Sequence, residues 1–467
     1  MVKSIKAELN KILHKKGIYI LTLIFILYTI LTNVIYKNLS SYELISEDIN
    51  IEEIIDINNS LDLNNKDDLL EYISNLEIIE TINLKEKYNS NNQKYLIDNY
   101  LSDLIYQSYD YKYIKNNETA YNEINEKIEV LKEKIVKEDW KYFINLKVTD
   151  IKNKINNEND SKVTDRYIDL LKLYNYRIEN NIDFDNTDYL NNALEELEIN
   201  LYEYYNLLNK DNLSNNEKDR LEYLNELYSK NEYILKNKKD INNNETLRSV
   251  LINFPSEFGL FILIYILMIS ASIVSEEFNK GTIKYLLTKP YKRCTILTSK
   301  LITVLLLIPT IILFMVTIEL IIGGLILDFS SLKVPVLIYD SINNCLISYN
   351  VFTYLFKSLL YSFPIYIILG IFSFMLSTIT LSTSSATTIT FLFYLICNVI
   401  SNLALTINLK IFKVFISLHW DFSYLIHLYN NPYNIKPWVS IIAILVYICT
   451  MLCISYIYFN KKDVKNI

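Results

Sequence analysis

The side chains able to do chemistry are few and scattered along the chain. Glu319 is the one acid inside an apolar span, and an intramembrane carboxylate is a candidate for a transport path. Its place near the outer end of that span predicts contact with water. His419, Asp421 and His427 lie close together and carry metal-ligating atoms, yet polar groups beside a membrane interface are satisfied without an ion, so no metal is expected. The five cysteines, Cys294, Cys345, Cys397, Cys449 and Cys453, form no CxxC pair, which leaves zinc and redox chemistry without a framework. None of the six glycines precedes Lys-Ser or Lys-Thr in a phosphate loop, so the chain is not expected to hydrolyse ATP. With no paired carboxylates and no nucleophile arrangement at membrane depth, no enzyme is expected.

The densest group of functional side chains is the connector from Glu276 to Lys300, EEFNKGTIKYLLTKPYKRCTILTSK, between two long apolar segments. Lys280, Lys284, Lys289, Lys292, Arg293 and Lys300 outnumber Glu276 and Glu277, and short basic loops stay on the inner side of a membrane. Gly281 precedes Ile283, Leu286 and Leu287, whose spacing of three and four gives one apolar helix face. Pro290 then ends the helix. The pattern predicts a short amphipathic helix lying on the cytoplasmic surface.

The elements that must position these groups follow from how apolar and charged residues are distributed. The chain has 467 residues, 51% hydrophobic and 21% charged, with a net charge of −7. Residues 37–257 hold 45 acidic and 27 basic side chains, and the rest of the chain is net basic. The acidic balance excludes nucleic acid as a partner, because phosphate binding needs basic surface. Ile5, Leu9 and Ile12 form an apolar stripe with lysines on the other faces, which predicts a cytoplasmic interfacial helix over residues 1–16. Residues 17–36 then form an uncharged stretch long enough to cross a bilayer at about 1.5 Å per residue. It is longer than a signal-peptide core and no AxA-like site follows it, so it is expected to stay uncleaved.

Residues 258–275 form a second span, and residues 301–460 hold four more, near 301–321, 359–378, 388–405 and 438–459, ahead of a basic tail at 461–467. Six crossings put all three lysine clusters on one side. Residues 37–257 then lie outside. They contain no glycine and a single proline at position 255, and they read as helices. Ile97, Leu101, Leu104 and Tyr111 keep a stripe that Ser108 interrupts, Ile124, Ile128, Leu131 and Ile135 a clean one, and Leu190, Leu194, Leu197, Leu201, Tyr204 and Leu208 a longer one. Ser214 and Glu217 form a capping box ahead of Leu221. The fold class expected is an all-α integral membrane protein with six transmembrane helices and a large, helical, coiled-coil-like extracytoplasmic domain between the first and second. High Asn, Ile, Lys and Tyr usage fits an AT-rich bacterial genome, and so a multi-pass protein of a bacterial plasma membrane.

At the connector the chain resembles the permease subunits of ABC-2 type exporters. Their pattern there is an acidic residue, a Gly-Thr pair, apolar positions, a proline followed by a basic residue, and a downstream lysine. Here it falls on Glu276, Glu277, Gly281, Thr282, Leu286, Leu287, Pro290, Arg293 and Lys300. The resemblance covers these 25 residues; beyond them it extends only to topology. It implies that this segment couples the chain to a separate cytoplasmic ATPase, which would hold ATP and magnesium, and that a second permease subunit, identical or related, completes the export path. It implies a close backbone approach at Gly281, contacts from Glu276 and Glu277 to basic partner groups, and anchoring of Arg293 and Lys300 to headgroups or acidic partner residues. A peptide, antibiotic or lipid-like substrate fits the family, but the large insertion departs from compact members and puts any carried-over substrate in doubt. The alternative is a membrane-anchored extracellular sensor or scaffold without transport, which has no use for a coupling helix.

Overall fold

The computed structural model describes residues 2–38, 51–63, 65–88, 90–158, 161–185, 187–287, 292–407, 410–427 and 431–461. In chain order the helices are α1 (Val2–Leu13), α2 (Lys16–Lys37), α3 (Ile51–Ser60), α4 (Lys66–Glu86), α5 (Asn91–Leu96), α6 (Ser102–Tyr113), α7 (Glu118–Val136), α8 (Trp140–Asn157) and α9 (Ser161–Asn180). They continue with α10 (Tyr189–Leu208), α11 (Asn215–Asn237), α12 (Leu247–Ile252), α13 (Phe254–Asn279), α14 (Ile283–Leu287), α15 (Arg293–Leu327), α16 (Val351–Thr380), α17 (Thr383–Ile407) and α18 (Pro437–Lys461). Packing divides the chain into two units, Met1–Tyr42 with Asn243–Ile467, and Glu43–Asn242.

In the first unit six helices are long and apolar enough to cross a membrane: α2, α13, α15, α16, α17 and α18. The protein is therefore an all-α, multi-pass membrane protein. Burial ranks these helices. About 72% of the apolar window of α13 is buried, against 22% for α2, 17% for α17 and 22% for α18, so α13 is central and the other three are peripheral. The approach of α13 to α16 depends on small residues. A Cβ on Gly370 would lie 3.2 Å from Ile266 Cγ2, and the Ser377 hydroxyl donates to the Ala271 carbonyl at 2.6 Å while accepting from the Ser275 amide at 3.0 Å. Among lipid-like surroundings, close packing and interhelical hydrogen bonds replace the hydrophobic drive as the association force.

Between α15 and α16 the chain forms a β-hairpin. Val336–Asp340 (β1) pairs antiparallel with Cys345–Tyr349 (β2), from Val336 opposite Tyr349 to Asp340 opposite Cys345. Asp340 caps the turn by accepting from the Ile342 amide at 3.0 Å. Val336 and Ile338 join the membrane core, which gives this hairpin a buried face.

In the second unit successive helices pack on one another: α4 on α6, α6 on α7, α8 on α9, α9 on α10 and α10 on α11. Ile124, Ile128, Leu131 and Ile135 are all buried, as are Leu194, Leu197 and Leu201. Ser214 and Glu217 form the capping box that starts α11. The stripe over residues 97–111 gains one residue. Ile97, Leu101, Ile105 and Ser108 are buried, and Leu104 and Tyr111 pack partly buried against the same core; Ile97–Leu101 is a π-turn, whose wider turn brings Ile105 inward.

Candidate functional site

The end of the first unit formed by α1, the C-terminus of α13 and the start of α15 is closed by a network of lysines and glutamates. Its geometry begins with the stripe on α1. Ile12 is buried in the membrane core, and Glu8, one turn earlier on the same face, is carried inward with it. There Lys300 of α15, 1% exposed, donates to Glu8 Oε1 at 2.6 Å and to the Ile273 carbonyl at 2.8 Å. Glu277, 4% exposed, lies 3.6 Å from the same ammonium and also takes Lys11 and the Thr282 hydroxyl. Glu276 accepts from Lys15 at 2.6 Å and lies 3.3 Å from Lys280. Burial pulls the Lys15 ammonium below its usual range, against the opposing pull of Glu276.

Lys11, Lys15, Lys280 and Lys300 thus surround Glu8, Glu276 and Glu277, with Lys300 and Glu277 buried at the centre and Lys11 and Lys280 reaching solvent. A buried ion pair contributes little net stability, but losing one member strands the other charge. The network therefore fixes geometry, holding α1, α13 and α15 in one arrangement. This corrects two expectations. Glu276 and Glu277 are satisfied within the chain, by Lys15 just before α2 and by Lys11 of α1. Lys300 is buried and does not reach headgroups, because Glu8 and the Ile273 carbonyl enclose its ammonium. Gly281 has φ +68 and supplies the left-handed backbone that ends α13, its amide donating to Phe278 O at 3.0 Å.

The next residues form a single helical turn, α14. Ile283 is fully buried in the membrane core, while Lys284 and Tyr285 face outward. Leu286 and Leu287 complete the α14 backbone, and Pro290 lies outside the described residues. Arg293 opens α15 and donates to the Asn460 carbonyl of α18 at 3.0 Å. The described loop is therefore tied at both ends: by Thr282 to α13 and by Arg293 to α18.

Glu319 lies elsewhere and is fully buried, with Asn33 of α2 donating to its Oε1 at 2.9 Å. The expectation of a water-exposed acid is overturned, because α15 runs on to Leu327 and α2 covers the carboxylate. Glu319 Oε2 and Asn33 Oδ1 have no partner among the described residues. Gly323, one turn on, makes room: a Cβ there would come within 2.7 Å of both Glu319 Oε1 and Leu247 Cδ1. His419 is separately satisfied, by Ser440 at 3.1 Å and the Lys413 carbonyl at 2.9 Å. No group of three His, Cys, Asp or Glu able to hold a metal ion occurs among the described residues.

Sequence reasoning missed Glu8 and Asn33. A signal existed for each: Glu8 is the sole acid in a lysine-rich helix and shares the Ile5–Ile12 face, and Asn33 is the most polar side chain of the first span. No curated protein and no solved structure matches the chain. The model of a family described as "ABC-2 family transporter protein" matches residues 2–464. Nearly the whole chain, insertion included, thus falls under one family description, and the protein belongs to the ABC-2 transporter family.

Proposed function

We propose that the chain is the permease subunit of an ABC-2 exporter, driven by a separate ATPase that holds ATP and magnesium. The observation that carries this reading is the ion-paired network joining the Gly281–Thr282 turn to α1, α13 and α15. A push on α14 meets no slack. Ile283 is seated in the membrane core and Thr282 is bonded to Glu277, so displacement of the turn is delivered to the helix ends. Lys284, Tyr285, Leu286 and Leu287 are the residues offered to the ATPase. On this reading the network faces the cytoplasm, residues 43–242 lie outside the cell, and a second permease subunit completes the path for a peptide, antibiotic or lipid-like substrate. Glu319, buried between α2 and α15, is the candidate polar point along that path.

The test is affinity purification from native membranes in mild detergent, comparing wild type with the double variant Leu286→Ser, Leu287→Ser. The expected result is one ATPase recovered with wild type and lost from the variant at unchanged elution volume. Failure of correctly inserted wild type to retain any ATPase would favour the sensor or scaffold reading instead.

A further inference from the structure

At the end of the first unit remote from the ion-paired network, α13, α16, α17 and the segment around Trp420 enclose a cavity of about 670 Å³. That size is within the range of small-molecule sites, about 300–1,000 Å³. Its wall is aromatic: Tyr354, Tyr366, Tyr394, Trp420 and Tyr424 all line it. Asp421 is the one formally charged side chain among the described lining residues, and no lysine or arginine is there to neutralise it. Asp421 uses Oδ1 to accept from the Ser423 amide at 2.8 Å, which leaves its other oxygen available.

Tyr366 and Trp420 are each 4% exposed and line the cavity. The buried Tyr424 hydroxyl has no hydrogen-bond partner among the described residues. A polar group buried without a partner costs free energy, so the Tyr424 hydroxyl on this wall is a group that a bound molecule would satisfy. Aromatic faces attract cations through their quadrupoles, and the Asp421 carboxylate, which is exposed, adds the same preference. Apolar contact is supplied by Leu260, Leu263, Ile365 and Leu369 on the same wall.

We propose that this cavity is a binding site for an amphipathic organic cation, its charged centre held by Asp421 and the aromatic faces and its apolar body by the leucine and isoleucine wall. The site is separate from the coupling segment and is tested without nucleotide or partner protein. Its failure therefore leaves the coupling reading standing, and the absence of an ATPase leaves this site standing.

Equilibrium dialysis of the purified full chain in detergent, with tetraphenylphosphonium as ligand and tetraphenylborate as a control of the same shape and opposite charge, decides the matter. The expected result is saturable binding of the cation at one site per chain and no saturable binding of the anion. Asp421→Asn keeps the acceptor for Ser423 while removing the charge, and is expected to weaken cation binding roughly tenfold. Ser362→Phe, which projects a ring into the cavity, is expected to weaken it. If that variant does not elute as wild type, Asp421→Asn alone decides. Absence of saturable cation binding, equal binding of the anion, or unchanged affinity in Asp421→Asn would overturn the proposal.

Discussion

In the unit formed by residues 1–42 and 243–467, Lys300 is 1% exposed and is held by Glu8 and Glu277. In residues 43–242 the corresponding pairs stand in solvent: Arg220 and Glu203 are 43% and 45% exposed, and Lys210 and Glu217 are 50% and 31% exposed. Water substitutes for a lost partner in the second setting and has no access in the first. The same chemical pair therefore constrains geometry in one unit and contributes little in the other. Arg177 is the exception in residues 43–242, also 1% exposed, but neutral acceptors hold it: the Asp183 carbonyl and Asn191 Oδ1, each at 2.7 Å, with the Phe184 ring 4.4 Å away.

The contrast is broken most severely at Lys300. Lys300→Met strands Glu8 in the membrane unit and is expected to cost about 3–5 kcal/mol of stability. Adding Glu8→Gln should recover part of that loss, because the stranded charge is gone. Thermal unfolding in detergent reads both, and a Lys300→Met protein that melts like wild type would show that the pair does not constrain the bundle.

A smaller effect tests whether the second buried carboxylate is equally confined. Gly323→Ala drives a methyl toward Glu319 Oε1 and Leu247, with an expected cost of about 1–3 kcal/mol from overpacking. The three atoms nearest a Cβ on Gly324 all belong to the Phe329 ring, which is 50% exposed and can swing aside, so Gly324→Ala should unfold closer to wild type. Equal melting of the two variants would contradict the tight Asn33–Glu319–Gly323 packing.

The weakest effect belongs to the exposed pair at the start of α11. The hydrogen bond from Lys210, followed by those from Ser214, holds Glu217 down at about 2. A carboxyl depressed in the fold stabilises fully above its unfolded value, near 4.5, and that contribution is lost as pH falls toward 2. Hydrogen exchange across α11 in the full chain, wild type against Glu217→Gln, should differ at about pH 5.5 and converge at about pH 2. A difference that persists at the lower pH would mean that charge at Glu217 is not what holds the helix start.

How much of this was legible in the sequence depends on how far apart the interacting residues are. The capping box at Ser214 and the stripe from Ile124 to Ile135 read directly, because their partners lie three or four residues away. The 97–111 stripe read in outline but without Ile105, because one π-turn changes the period and no residue type announces such a turn. At the candidate site the acidic pair, Gly281 and Lys300 were picked out by type and spacing. Their local partners were not, since Lys11 and Glu277 are 266 positions apart and Lys300 and Glu8 are 292 apart.

The sequence by itself determined six apolar spans, their order, a helical insertion after the first, and a basic connector with a glycine at its break. Those follow from composition over windows as long as a bilayer is thick and from backbone preferences at single residues. Only the tertiary structure decided that Lys300 faces inward, that Asn33 meets Glu319, and that aromatic residues from α16, α17 and the segment before α18 surround one cavity. Each of these results from helices distant in the chain packing side by side. A side chain's water or partner is set by that packing and not by its neighbours in sequence.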